Sequence, residues 1–164
     1  MDDSAWEPFH RGSLAVGQGH ALYFEEVGKA DGSPVLYLHG GPGSGCTAGS
    51  RRSFDPGRHR GILFDQRGAG RSRPAASEHD FDFPSVNLDH HVADIELLRE
   101  QLGLDRWAVF GASWGSVLGI AYAERHPERV SALVAAAVST GTAEDIEWLT
   151  GASSQVSGGL IGSI

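Results

Sequence analysis

Ser113 stands in Gly111-Ala112-Ser113-Trp114-Gly115, a Gly-x-Ser-x-Gly run that directly follows the apolar stretch Trp107-Ala108-Val109-Phe110. That pattern is the nucleophile elbow, in which a serine sits on a strained turn between a strand and a helix. The glycines are required because a Cβ two residues to either side of the serine would collide with neighbouring backbone. Gly111 and Gly115 remove those side chains. The turn also aims the first N–H groups of the following helix at the space over Ser113, where a developing oxyanion would meet donors and the positive end of a helix dipole. The chemistry is acyl transfer with Ser113 as nucleophile.

A serine hydroxyl is a poor nucleophile at neutral pH and needs a general base, usually a histidine oriented by a carboxylate. The one histidine after Ser113 is His126. It lies roughly 13 residues along the helix that starts at the elbow, at about 1.5 Å rise each, and is out of hydrogen-bond reach. His90 and Asp94 share a helix face at i, i+4, a spacing that suits a metal, but a solvated face is the better reading, and no metal or cofactor is assigned.

Those residues need a scaffold. Leu14-Ala15-Val16 and Ala21 to Val27 flank the turn-like Gly17-Gln18-Gly19 and predict an antiparallel hairpin. Pro34 to Leu38, Gly61 to Phe64 and Trp107 to Phe110 are short apolar runs of the kind found in parallel sheets covered on both faces. Leu88, Val92, Ile95, Leu98 and Leu102 recur at helical spacing, with Gly103 as the stop. Val117 to Ala123 predicts a second helix stopped at Pro127, and Val130 to Val138 is the next apolar run. Strands alternating with helices predict an α/β fold with a mostly parallel, doubly wound sheet. Residues 1–141 are assigned to that domain; 142–164 are read as an irregular tail or the start of a cap.

At 164 residues and 40% hydrophobic, the chain is long enough for one core. A net charge of -8 excludes the clustered basic face that a nucleic-acid partner requires, and Arg51 with Arg52 is too little to make one. No stretch approaches the roughly 20 apolar residues of a membrane span, and Met1-Asp2-Asp3-Ser4 leads into no apolar segment. The single cysteine, Cys46, reads as a small buried thiol in a reducing compartment. The expected location is cytoplasmic, with no membrane and no nucleic-acid partner; the oligomeric state is left open.

His39-Gly40-Gly41-Pro42-Gly43 follows the strand ending at Leu38 and is a loop whose amides can approach a substrate closely. It is not a phosphate loop, since Gly45 is followed by Cys46 and Thr47 rather than Lys and Ser/Thr. Asp65-Gln66-Arg67-Gly68-Ala69-Gly70-Arg71-Ser72 follows the next strand. These two motifs, in order with Gly-x-Ser-Trp-Gly-Ser, resemble the proline iminopeptidases, serine peptidases of the α/β-hydrolase fold. The resemblance runs from about Leu14 to Val138, with Ala112 standing where the family more often has glycine.

The resemblance implies hydrolysis of the amide after an N-terminal proline through an acyl-enzyme, with such a peptide as partner. It places the nucleophile at Ser113 and the oxyanion hole at the backbone N–H groups of Gly41 and Trp114. His39, Gly40, Pro42 and Gly43 form the oxyanion loop, with His39 structural, and Gly111 and Gly115 frame the elbow. Asp65, Arg67 and Arg71 are expected in an internal salt-bridge network. The triad acid, the triad histidine and the substrate-recognising cap have no counterpart here. The expectation is therefore an N-terminal half, ending after about the sixth strand with an uncovered edge and inactive alone. An esterase on the same fold, or a non-catalytic remnant acting as an interaction half-domain, are the other readings.

Overall fold

A computed structural model describes residues 4–138. Six strands form one sheet: β1 (His10–Ala15), β2 (Ala21–Gly28), β3 (Ser33–Leu38), β4 (His59–Phe64), β5 (Trp107–Ala112) and β6 (Val130–Ala136). Their order is β1-β2-β4-β3-β5-β6. β1 and β2 make the expected hairpin and β2 runs antiparallel to β4, whereas β4, β3, β5 and β6 are mutually parallel. The hairpin turn closes where His20 N–H donates to Gly17 O at 3.0 Å.

Two α-helices follow β4 and β5: α1 (Leu88–Gln101) and α2 (Trp114–Arg125). Asn87 caps α1, its side chain accepting from His90 N–H at 2.9 Å. Strand and helix do not alternate throughout, because β3 and β4 are joined by a loop that holds only a 3-10 turn, Ser50–Ser53. α1 and α2 bury Ile95, Leu98, Leu118 and Tyr122 against Leu36, Leu38, Ile62, Phe64, Trp107 and Val109 on one face of the sheet. On the opposite face Phe54 packs on Val27 and Leu63, with Val35, Tyr37 and the half-buried Cys46 beside them. β6 ends the sheet among the described residues and exposes Leu133 and Val134. The stretch 142–164, read above as tail or cap, lies outside the described residues.

The face of α1 carrying His90 and Asp94 is not the solvated one expected. Asp94 is fully buried because Arg67 reaches it from the loop after β4, donating from Nε at 2.6 Å and from Nη2 at 2.8 Å. The same guanidinium donates to Gln18 Oε1 and Val16 O, both at 2.8 Å, and to Ser85 O at 3.3 Å, so each of its five donors finds a partner. Burial pushes the Asp94 carboxyl up, and the Arg67 guanidinium opposes it. His90 is half-buried, with its Nδ1 2.8 Å from Ser85 O.

His91 is buried beside this pair, and its Nδ1 has no hydrogen-bond partner among the described residues. Burial first, then the Arg67 charge, lowers its pKa to about 4. An imidazole in the unfolded chain titrates near ~6.5, so between those values the unfolded state binds more protons. The stability this neutral imidazole contributes is present above pH ~6.5 and is lost as pH falls through about 4. The expected loss from pH 7 to pH 4 is about 3 kcal/mol from this group. His20 and His39, also lowered by burial, add to it in the same direction. Urea melts across that range should show the slope, and His91→Gln should reduce it; an unchanged slope in the variant would assign the effect elsewhere.

Candidate active site

β4, β3 and β5 lie side by side, and their registers pair Tyr37 with Leu63 and Leu38 with Gly111. Asp65, His39 and Ser113 therefore emerge together at the C-terminal edge of the sheet, where open α/β folds place their ligands. β4 and β5 flank β3, so the loops after them stand on either side of the loop after β3.

Ser113 has φ 53 and ψ -121, a left-handed conformation strained for a residue with a side chain. The turn is held from both sides. Ser113 N–H donates to Ala136 O of β6 at 3.0 Å, and Ser113 O accepts from Ser116 N–H at 2.8 Å and Ser116 Oγ at 2.6 Å. The flanking glycines are there for space: a Cβ on Gly111 would stand 2.1 Å from Gly115 O, and one on Gly115 would stand 2.0 Å from Leu38 O. Ser113→Gly should relieve the strain and raise stability by about 1 kcal/mol, the lower end of what such a conformation costs. Denaturant unfolding of the two proteins checks this; a destabilised Ser113→Gly would show that the side chain is held favourably.

The glycine loop after β3 lies over Ser113. A Cβ on Gly40 would be 3.2 Å from Ser113 Cβ and 3.7 Å from its Oγ. Gly41 follows in an exposed, left-handed conformation at φ 122, and Pro42 and Gly43 are exposed beyond it. Trp114 is the first residue of α2, where a backbone N–H has no partner within the helix.

His39 is a bracket rather than a base. Its Nδ1 donates to Gly40 O at 2.8 Å, and its Nε2 accepts from Gln66 N–H at 3.1 Å, which sets the neutral tautomer. Burial lowers its pKa and keeps it neutral. Gln66, which in the sequence was only part of a motif, joins both halves of the site. Its Nε2 donates to His39 O at 3.0 Å, and its Oε1 accepts from the Trp114 indole Nε1 at 3.2 Å. One buried amide ties the glycine loop to the turn at Ser113. No local pattern could have revealed it, because its partners are 27 and 48 residues away.

Asp65 belongs to the expected internal network. It accepts from Arg71 Nε at 2.8 Å and from the backbone N–H groups of Cys46 at 2.7 Å and Arg71 at 2.8 Å. Burial pushes its carboxyl up, but those hydrogen bonds outweigh it and hold it below the usual carboxylate range. Arg71 also donates to the buried Glu25 at 3.1 Å, which Arg51 grips at 2.8 and 3.1 Å. His126 caps the far end of α2, its N–H donating to Tyr122 O at 2.8 Å. Among the described residues no hydrogen bond joins Ser113 Oγ to an imidazole or carboxylate.

A family model described as the alpha/beta hydrolase fold matches residues 33–157. The chain belongs to the α/β-hydrolase family. Within it, this chain is similar to the proline iminopeptidase of Xylella fastidiosa, 48% identical over 86% of this chain and 44% of that protein. It is likewise similar to the proline iminopeptidase of Arabidopsis thaliana, 47% identical over 87% of this chain and 36% of that protein. The crystal structure of a proline iminopeptidase-related protein from Thermus thermophilus superposes with a TM-score of 0.65 at 31% identity, covering 77% of this chain and 43% of that one. The α/β-hydrolase chain thus spans less than half the length of these relatives. No helix among its described residues is long and apolar enough to cross a membrane.

Proposed function

We propose that this chain carries the nucleophile half of a serine aminopeptidase that releases N-terminal proline from peptides through an acyl-enzyme. The observation that carries the reading is Ser113 held at φ 53 directly beneath Gly40. A strained serine under a glycine loop is the arrangement acyl transfer needs. In this reading Ser113 Oγ attacks the carbonyl of the N-terminal proline. The backbone N–H groups of Gly41 and Trp114 receive the oxyanion, and Gly40, Pro42 and Gly43 shape the loop that presents the first of them. Gly111 and Gly115 give the elbow its room, and His39 holds the loop. Proline as the acyl residue rests on similarity to proline iminopeptidases and on no contact described above.

With no base among the described residues, the 17.4 kDa chain is expected to be inactive alone. Residues 142–164 are read as an irregular tail or the start of the cap. The single cysteine supports a reducing compartment, the cytoplasm, as the protein's place.

The test is hydrolysis of a proline arylamide and of a short acyl ester by the protein as produced from its gene, with its intact mass measured in the same preparation. Arylamide turnover abolished by Ser113→Ala supports the reading. Ester turnover without arylamide turnover makes it an esterase. Rapid labelling of Ser113 by a fluorophosphonate in a 17.4 kDa product would overturn the inactivity of the chain alone.

A further inference from the structure

Beside the oxyanion loop lies a cavity of about 230 Å³, walled by Pro42, Gly43, Ala76, Phe81, Phe83 and Val86. Phe81 and Phe83 meet edge to face at 4.9 Å, and Phe83 leaves 64% of its surface exposed at the mouth. The cavity begins two residues from Gly40, which packs on Ser113, so a substrate whose carbonyl sat under the loop would have part of itself within reach. Its volume falls below the ~300 Å³ at which pockets start to enclose a whole small ligand, and suits one side chain.

Charge decides which part of the substrate that is. The one charged residue of the wall, Arg67, is already saturated by Asp94, Gln18 and Val16 O. Among the described residues no carboxylate lines the cavity to receive an ammonium group, and a substrate with a free N-terminal proline carries a cation on its acyl part. Burying that cation here would be unfavourable; burying an uncharged apolar side chain is favourable.

We infer that this cavity is the binding site for the side chain of the residue after the scissile bond, and that it selects bulky aliphatic or aromatic residues at that position. The inference rests on the aminopeptidase reading for the direction of the substrate. Phe83 and Ala76 are its specificity-determining residues: Phe83 supplies the outer wall, and Ala76 leaves the volume open.

The experiment is isothermal titration of the full chain with Pro-Leu-amide, Pro-Gly-amide and Gly-Leu-amide. Pro-Leu-amide is expected to bind roughly 10- to 100-fold tighter than Pro-Gly-amide, the worth of burying one leucine side chain. Phe83→Ala removes an exposed ring and leaves the core untouched, and Ala76→Phe fills the cavity. Each should bring the ratio toward one by weakening Pro-Leu-amide binding. Equal affinity for the two prolyl amides, no binding of either, or a ratio that survives both substitutions overturns the inference. If Gly-Leu-amide binds as tightly as Pro-Leu-amide and both substitutions weaken it, the cavity assignment holds and the proline reading falls.

Discussion

Gly115→Ala should cost more than about 3 kcal/mol of folding stability, above the usual range for overpacking a core. The added Cβ would lie 2.0 Å from Leu38 O, 2.7 Å from Leu38 C and 3.0 Å from His39 O. All three are backbone atoms, so no side-chain rotation relieves the clash. Relief requires α2 to lift from β3, which would strip Leu118 and Tyr122 from the core, or β3 to move, which would break its pairing with β5. A domain of ordinary stability has about 5–15 kcal/mol in total, so this one methyl group removes a large fraction. Circular dichroism in urea measures it. A folded Gly115→Ala protein within 1 kcal/mol of the parent would show that the elbow has slack, and the steric account of its glycines would fall with it.

Asp94→Ala is the second substitution with a large expected effect, about 3–5 kcal/mol, the range for breaking a buried ion pair by removing one partner. The loss comes less from the missing attraction than from what remains: the Arg67 side chain, 2% exposed, would keep its charge with no anion beside it. The double substitution Arg67→Met, Asp94→Leu removes both charges and keeps apolar volume, and should be milder than Asp94→Ala alone. The pair joins the loop after β4 to α1, so the single variant should also loosen the wall holding Phe81 and Val86. Urea unfolding of all three proteins decides; a single variant no worse than the double would mean that water reaches Arg67 and solvates it.

The legible parts of this protein were those where a residue's requirement is met by its near neighbours. Gly111 needs its missing side chain because of Gly115 O, 2.1 Å from where its Cβ would stand and four residues along, whereas Gly115 needs it because of Leu38 O on β3. The apolar runs became strands close to where they were read, and the 3.6-residue period of Leu88 to Leu102 became α1. Reading failed where the same period was used to infer which face meets water. Asp94 looks like a solvated carboxylate on its own helix and is buried only because Arg67, 27 residues earlier, arrives from another loop.

The sequence by itself determined the order of elements, the strand-to-helix turn at Ser113 and the glycine loop after β3, since each depends on backbone conformations that short stretches of side chains dictate. The tertiary structure alone decided that Gln66 would bridge His39 and Trp114, that Arg67 and Asp94 would be a dry pair, and that Phe81 and Phe83 would wall a cavity beside the loop. Each of those depends on the registers of β3, β4 and β5, which bring three loops from distant parts of the chain to one edge of the sheet. Register is set by burying a whole sheet face at once, and no single segment contains that information.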